Sequence, residues 1–532
     1  MELVNGHKDG SQRLPHILII GAGSRGNTYA RAVKKSGLGV VVAVADPIPY
    51  KRRLLGSKYI WSNETQPSSG QEFEGWQQYV AWEKQRRAGT LDSRLPAIDG
   101  VFICVLDEQH ADVITALAPF NLHIMCEKPL ATTLSDCLRI YSSLLPPDPI
   151  KGPSTIFGIG HVLRYSPHNM LLRQLVLEDE VIGDIISIEH TEPVGWWHFS
   201  HSYVRGNWRR ESSTAPSLLT KSCHDIDWLL WMLCSPAKKT GGSPHLPSFL
   251  SSTGSLKVFR RSRKPAAAAN ATNCLSCPIK DSCMYSAPKI YYDKQLAKGN
   301  TDWPVAIVNP EIESALVVEG AARAKEMLFD TLMQDYDENM NESEIRTRPW
   351  FGRCVWESDN DVCDDQFVTI TWEDDVESSD GGSKQAHNTR NAKTATFHMI
   401  ANTEKQCERR GRIYGTKGEI EYDGSTIKIF DFATESWKTH NPPRRGGGHG
   451  DGDDGLTQQF LKAIRVVQSQ DLTAEQAQIE HLGCTLQEVI RSHALVFAAE
   501  EARRNRKVLD WTSWWSTQVE QVLKKTGSST PR

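Results

Sequence analysis

Several things are missing from this 532-residue sequence, and each absence narrows what the chain can be. No apolar run approaches the ~20 residues that a bilayer-spanning helix needs, so no membrane association is expected. There is no surplus of positive charge: 61 Lys and Arg against 65 Asp and Glu give a net charge of −4. With no dense basic run either, nucleic acid is not an expected partner. The opening residues, MELVNGHKDGSQRLP, contain no hydrophobic signal core, and residues 1–13 read as a flexible tail. The 12 cysteines are scattered along a chain without a secretory signal, which implies reduced thiols and a cytoplasmic protein rather than a disulfide framework. No internal repeat is visible. The apolar fraction of 39% and charged fraction of 24% are globular values, and the length calls for two domains with excursions.

What the sequence does carry is concentrated first in His16 to Gly26, HILIIGAGSRG. Ile17 to Ile20 form an unbroken apolar run of strand length, the pattern of a strand buried on both faces. It ends in Gly21-Ala22-Gly23-Ser24-Arg25-Gly26, and a helical stretch, Asn27 to Lys35, follows. In a dinucleotide-binding turn the glycines have separate roles. Gly21 permits the tight turn, Gly23 lets the backbone approach a pyrophosphate, and Gly26 packs helix on strand. Ser24 and Arg25 share that turn, and the helix N-terminus offers N–H groups and a favourable dipole to an anion. A second apolar strand, Val40 to Ala45, ends at Asp46, twenty positions after Gly26, where a carboxylate would hold the adenosine ribose. That carboxylate favours NAD, while Arg52 and Arg53 close by leave NADP open.

Helices at Gly75–Arg87 and Glu108–Leu117 alternate with buried-type strands at Gly100–Leu106 and His123–Cys126. This alternation predicts a doubly wound parallel sheet, an α/β Rossmann domain over residues 14–150. Leu144-Leu145-Pro146-Pro147-Asp148-Pro149 closes it with a run that neither helix nor strand tolerates. From 151 to 510 the strand-like runs (Thr155–Ile159, Asp184–Glu189, Phe367–Trp372, Thr396–Ile400, Gly418–Tyr422, Thr426–Phe430) mostly alternate, as antiparallel strands with one wet face do. Lys257–Asn273 reads as a loop, 373–393 as a disordered insert, Ala474–Arg503 as one long helix, and 511–532 as a polar tail.

Four stretches could carry chemistry. Glu127-Lys128-Pro129 follows the last strand of the first domain, at the edge where such folds bind ligands, and Lys128 there can reach an oxygen reacting with a nicotinamide. Glu192–Arg209, EPVGWWHFSHSYVRGNWR, offers Trp196, Trp197, His198 and Arg205 as a wall for a polyol or carbohydrate. Cys274 and Cys277, with Cys283 five residues further on, have zinc-ligand spacing; Cys354 is the best candidate for a fourth ligand and Cys223 the second. Arg444–Gly455, RRGGGHGDGDDG, with His449, reads as a lid over the same site or a plain linker.

The GAGSRG turn, Asp46, the Glu127-Lys128-Pro129 tripeptide and a distal histidine together resemble the Gfo/Idh/MocA family of NAD(P)-dependent oxidoreductases. The resemblance spans about residues 14–510 and is most specific in the first 165 residues and in Lys221–Asp227. It implies a Rossmann domain followed by an α/β domain whose open, mainly antiparallel sheet packs between subunits, hence a homo-oligomer, dimer or tetramer. It implies that Lys128 is catalytic, with Glu127, Pro129 and His110 beside the cofactor and Arg164 facing the substrate from the first strand of the second domain. His224 and Asp227 match a histidine–aspartate pattern in which the histidine is the general base. The aspartate usual four positions before the histidine is Thr220 here, and Lys221, a substrate-side cation, stands next to it. A nearby ammonium would lower the histidine pKa where a carboxylate would raise it. The implied activity is hydride transfer between NAD(P) and a secondary alcohol of a sugar, polyol or derivative. Two alternatives remain open: an NAD-dependent glycosidase working through transient internal oxidation, and a non-catalytic NAD-binding regulator.

Overall fold

The structure is a computed structural model that describes residues 13–61, 66–91, 97–146, 152–236, 242–376, 389–444, 446 and 448–525. Strands β1 (His16–Ile20), β2 (Val40–Ala45), β3 (Glu72–Phe73), β4 (Gly100–Ile103), β5 (His123–Cys126) and β6 (Phe157–Ile159) form a parallel sheet of order β3-β2-β1-β4-β5-β6. The apolar runs behave as their composition dictates. Ile17 to Ile20 are at most 1% exposed, because helices cover both faces of a parallel sheet. One of these, Gly452–Gln468, comes from the far end of the chain and lays Leu456, Phe460, Leu461 and Ile464 against Ile17, Ile19, Tyr29 and Phe102.

β7 (Ile185–Pro193), β8 (Phe249–Ser255), β9 (Asp365–Trp372), β12 (Lys393–Ile400), β13 (Arg410–Gly415), β14 (Gly418–Tyr422), β15 (Ile427–Asp431), β16 (Ser436–His440) and β17 (Leu509–Asp510) form a second sheet of nine strands. The short β10 (Asp375–Val376) and β11 (Thr389–Arg390) pair apart from it. All neighbours in the large sheet run antiparallel except β12 and β7. Between β8 and β9 a helical lobe has its own small core, in which Ile290, Tyr291, Leu328, Leu332 and Phe351 are buried.

The structure departs from the sequence reading at three places. The run at 155–159 belongs to the first sheet: Ile124, Met125 and Cys126 pair in parallel with Phe157, Gly158 and Ile159. It follows Pro153 closely and is too short for its pattern to tell a buried parallel strand from an antiparallel one. The expected helix at 474–503 breaks at Gly483, which has φ +58°, and restarts at Leu486 behind a Thr485–Glu488 capping box. Residues 511–525 are not tail. They form helices at Trp511–Trp515 and Gln521–Lys525, with Trp511, Trp514, Val519 and Leu523 buried. The tails at 1–12 and 526–532, and 377–388 of the expected insert, lie outside the described residues. Among the described residues no helix is long and apolar enough to cross a membrane.

Candidate active site

The turn after β1 separates its glycines by function. Gly21 has φ +95°, and a Cβ there would lie 2.4 Å from the Cys104 carbonyl oxygen. At Gly26 a Cβ would fall 1.9 Å from the Gly21 carbonyl oxygen. Around Gly23 no atom lies within 4 Å of the Cβ position. Two glycines are thus demanded by packing, and the third faces open space. Helix Ser24–Ser36 begins there without a side-chain cap, so its first N–H groups are unclaimed by the chain. Asp46 accepts from Ala22 N (2.7 Å) and Ile48 N (2.8 Å), which fixes its carboxylate at the carboxyl end of β2 with lone pairs left for hydroxyl donors. An open glycine, an uncapped helix and a fixed carboxylate fit a dinucleotide.

Arg25 is drawn away from that cradle. Its Nε donates to Glu127 Oε1 (2.6 Å), and Nη2 donates to Asp453 Oδ1 (2.7 Å) and Tyr29 Oη (2.9 Å). Burial alone would raise the Asp453 carboxyl, but Arg25 and His449 hold it well below the usual range. Arg25 therefore ties the glycine turn to the Glu127-Lys128-Pro129 turn and to the last long helix, instead of reaching for a ligand. His110 is likewise internal: its Nδ1 lies 2.7 Å from the Pro129 carbonyl and it is fully buried. Lys128 leaves the carboxyl end of β5 and donates Nζ to the Thr220 carbonyl (2.6 Å), which brings it to the start of the segment bearing His224.

Helix Cys223–Leu233 holds His224 in a buried cluster of charge. Arg409, just before β13, donates Nη2 to His224 Nε2 (2.6 Å) and Nε to Asp225 Oδ1 (2.7 Å). Glu192 lies 2.8 Å from Lys221 Nζ and 3.0 Å from Arg409 Nε. Two cations thus face two carboxylates, which offsets their desolvation. Arginine can only donate, so the proton of neutral His224 sits on Nδ1, and that atom is buried with no partner. Burial pushes the His224 imidazole far below its ordinary range; Asp225 opposes this, while Arg409, Lys128 and Lys221 add to it. The general-base role expected for His224 needs a free lone pair, and this arrangement leaves it a free N–H instead. His449, from the glycine-rich loop, has its ring 6.4 Å from that of His224.

Other expected ligands are engaged in packing. Arg164 stands in a turn after β6, not in the second sheet, and makes a two-pronged pair with Asp227 (2.7 and 2.8 Å), both residues being buried. Arg205 is fully buried and donates to the Arg353 and Tyr285 carbonyls. Trp196 packs edge-on to Tyr285, and Trp197 lies 5.0 Å from Trp303, so both brace the helical lobe between β8 and β9. His198 remains near the charge cluster, 3.6 Å from Cys407 Sγ, which also accepts from Lys221 Nζ (3.1 Å). Cys274, Cys277, Cys283 and Cys354 line one small cavity. Two tighter groups of ligand-type side chains, His161–Cys223–His493 and His161–Asp227–Cys484, lie in the core, and the His493 and Asp227 members are already engaged. His493 accepts from Leu130 N (2.8 Å) and its Nδ1 meets the Val489 carbonyl (2.8 Å), while both Asp227 oxygens serve Arg164.

Arg409, Asp225, Glu192 and Asp453 were not singled out from the sequence. Comparison with known proteins supports the first domain's identity. The family model described as "Oxidoreductase family, NAD-binding Rossmann fold" matches residues 16–144. Inositol 2-dehydrogenase of Salmonella typhimurium (strain LT2) is 28% identical over 136 residues, 26% of this chain and 35% of that protein. The 2,7-anhydro-N-acetylneuraminate hydratase of Escherichia coli (strain K12) is 25% identical over 136 residues, 26% of this chain and 34% of that protein. This chain therefore spans about a third of the length of these curated relatives. A levoglucosan dehydrogenase solved with NADH and levoglucosan shares the fold over 94% of this chain and 99% of its own, with TM-score 0.55 and 14% identity. Residues 16–144 are thus similar to the NAD-binding Rossmann domain of the Gfo/Idh/MocA oxidoreductases.

Proposed function

We propose that the chain is an NAD(P)-dependent oxidoreductase that moves hydride between its cofactor and a secondary alcohol of a sugar, polyol or derivative. The observation that supports this reading is that Lys128, at the end of the parallel sheet, donates to the Thr220 carbonyl in the segment that leads to His224, whose buried Nδ1–H has no partner. When bound, a nicotinamide dinucleotide supplies the hydride acceptor or donor. Gly23 and the start of helix Ser24–Ser36 hold its pyrophosphate, and Asp46 takes the ribose hydroxyls. NAD is preferred over NADP: a carboxylate at that place repels a 2′-phosphate, and Arg52 is committed to Glu72 (2.7 Å) and the Asp46 carbonyl (2.7 Å).

Lys128 gives or takes the proton of the reacting oxygen, releasing the Thr220 carbonyl as it does so. His224 donates Nδ1–H to that same oxygen and stabilises its negative charge, a role for a neutral imidazole held by its second nitrogen. Lys221 and His198 stand where they can bind the substrate's other hydroxyls. Self-association through the open face of the second sheet belongs to the same reading and is checked by light scattering. A panel of sugars, inositols and their acids, assayed for NADH absorbance with wild type and Lys128→Met, tests the function; lysine-dependent NADH formation on one class is expected. The hydratase name of one relative favours keeping a second reading, a redox-neutral elimination through transient oxidation. That would show as substrate loss without net NADH.

A further inference from the structure

The lobe between β8 and β9 carries a feature that lies outside the redox site. Cys274, Cys277 and Cys283 sit on successive tight turns, with Cys277 N donating to the Cys274 carbonyl (3.3 Å) and Cys283 N to that of Ile279 (2.9 Å). Cys354 arrives on a separate strand of chain. Cys274 N donates to the Gly352 carbonyl (2.8 Å), Cys354 N donates to that of Thr272 (2.8 Å), and Asn273 bridges Arg353 between them. This two-way clasp brings the four cysteines to the lining of one cavity of about 10 Å³, on the scale of one water or ion. All four are free thiols.

Arg205 closes the same cavity. It is fully buried, and its Nη2 lies 3.2 Å from Cys274 Sγ. Its Nη1 is buried with no partner, and no carboxylate lies within ion-pair distance of it among the described residues. A buried guanidinium without a counter-charge is strongly unfavourable. Neutral thiols would not offset that cost. Thiolates on a divalent ion would, because four of them leave the centre with a net negative charge. Zinc suits such a shell: it binds thiolate sulfur at about 2.3 Å in a tetrahedron and asks for no further ligand.

We propose that Cys274, Cys277, Cys283 and Cys354 hold one structural zinc ion, with Arg205 as the buried cation against its thiolate shell. Binding releases the thiol protons and changes no oxidation state. The ion pins the start of the lobe to its end, and so fixes the platform under Trp196 and Trp197. The assignment does not depend on the oxidoreductase reading.

The test uses the full chain expressed in zinc-supplemented medium. Elemental analysis should find close to one zinc per chain. A mercurial that titrates thiols should release it, and cobalt exchanged into the protein should show the visible absorption of a tetrahedral thiolate site. Cys277→Ser, at one of the two half-buried positions, should lower zinc at least tenfold at equal expression. If that variant does not fold, the wild-type stoichiometry and cobalt spectrum decide. Less than a tenth of a zinc per chain in wild type, iron in its place, or disulfides among these cysteines by mass spectrometry would overturn the proposal.

Discussion

Replacing Gly23 and Gly26 one at a time by alanine separates what the glycine turn does for the fold from what it does for a ligand. At Gly26 the new methyl would sit 1.9 Å from the Gly21 carbonyl oxygen and 3.1 Å from Ile19 Cγ2. The helix must move by roughly an ångström off β1, and overpacking of this kind costs about 1–3 kcal/mol. That corresponds to a fall in melting temperature of roughly 5–10 °C at the upper end. Gly23 has φ −73° and ψ −161°, which alanine adopts without strain, and its methyl would meet nothing of the chain. Loss of the better N-cap and gain from a stiffer unfolded chain nearly offset, so stability should stay within about 1 kcal/mol of wild type. The same methyl fills the place assigned to the pyrophosphate, so NAD affinity should fall at least tenfold, about 1.4 kcal/mol. Differential scanning fluorimetry without ligand and calorimetric titration with NAD read the two effects separately. Gly23→Ala binding NAD as tightly as wild type would refute the assignment of the cradle.

Two further outcomes follow from the buried histidines. Arg409→Leu removes the cation on His224 Nε2 while leaving Asp225 beside it; Lys128 and Lys221 still face the ring. The acid limb of kcat/KM should therefore move to higher pH, with kcat/KM down about tenfold or more and Arg409→Lys partly restoring both. An unchanged pH profile would reduce Arg409 to packing. Burial and the neighbouring His161 bring the His493 imidazole down to about 3, below its ordinary ~6.5. The unfolded chain then binds the proton more tightly, so stability is fully present above about pH 6.5 and drains as pH falls toward 3, by up to ~1.4 kcal/mol per pH unit. Denaturant midpoints between pH 7 and 4 should fall more steeply for wild type than for His493→Gln, and equal slopes would contradict this.

The parts legible in the sequence are those whose chemistry is local. Gly21 needs positive φ, Asp46 ends an apolar strand, and Lys128 follows another; each announces itself within a dozen residues. Arg409 does not. It reaches His224 because β13 pairs with β7, Arg410 opposite Thr191, which sets Arg409 beside Glu192 across more than two hundred positions. No pattern around GluArgArg at 408–410 records that register. Arg25 was read as a cofactor ligand from its place in the glycine turn; its partner Asp453 lies 428 residues away, inside a glycine-rich run that read as lid or linker. Arg205 and the two tryptophans looked like a sugar wall because aromatic and cationic side chains suit a carbohydrate and a packed lobe equally. Residues 511–515, WTSWW, did carry a signal: three tryptophans in five positions are more apolar surface than a solvated tail leaves exposed.

The role proposed for Lys128 is to act on the reacting oxygen during hydride transfer. Single-turnover mixing of NAD-loaded protein with a substrate found in the panel, followed at the absorbance of NADH for wild type and Lys128→Met, tests it most directly. Lys128→Met should bind NAD within about threefold of wild type and transfer hydride more slowly by at least ~10². Equal rates for the two proteins would contradict it.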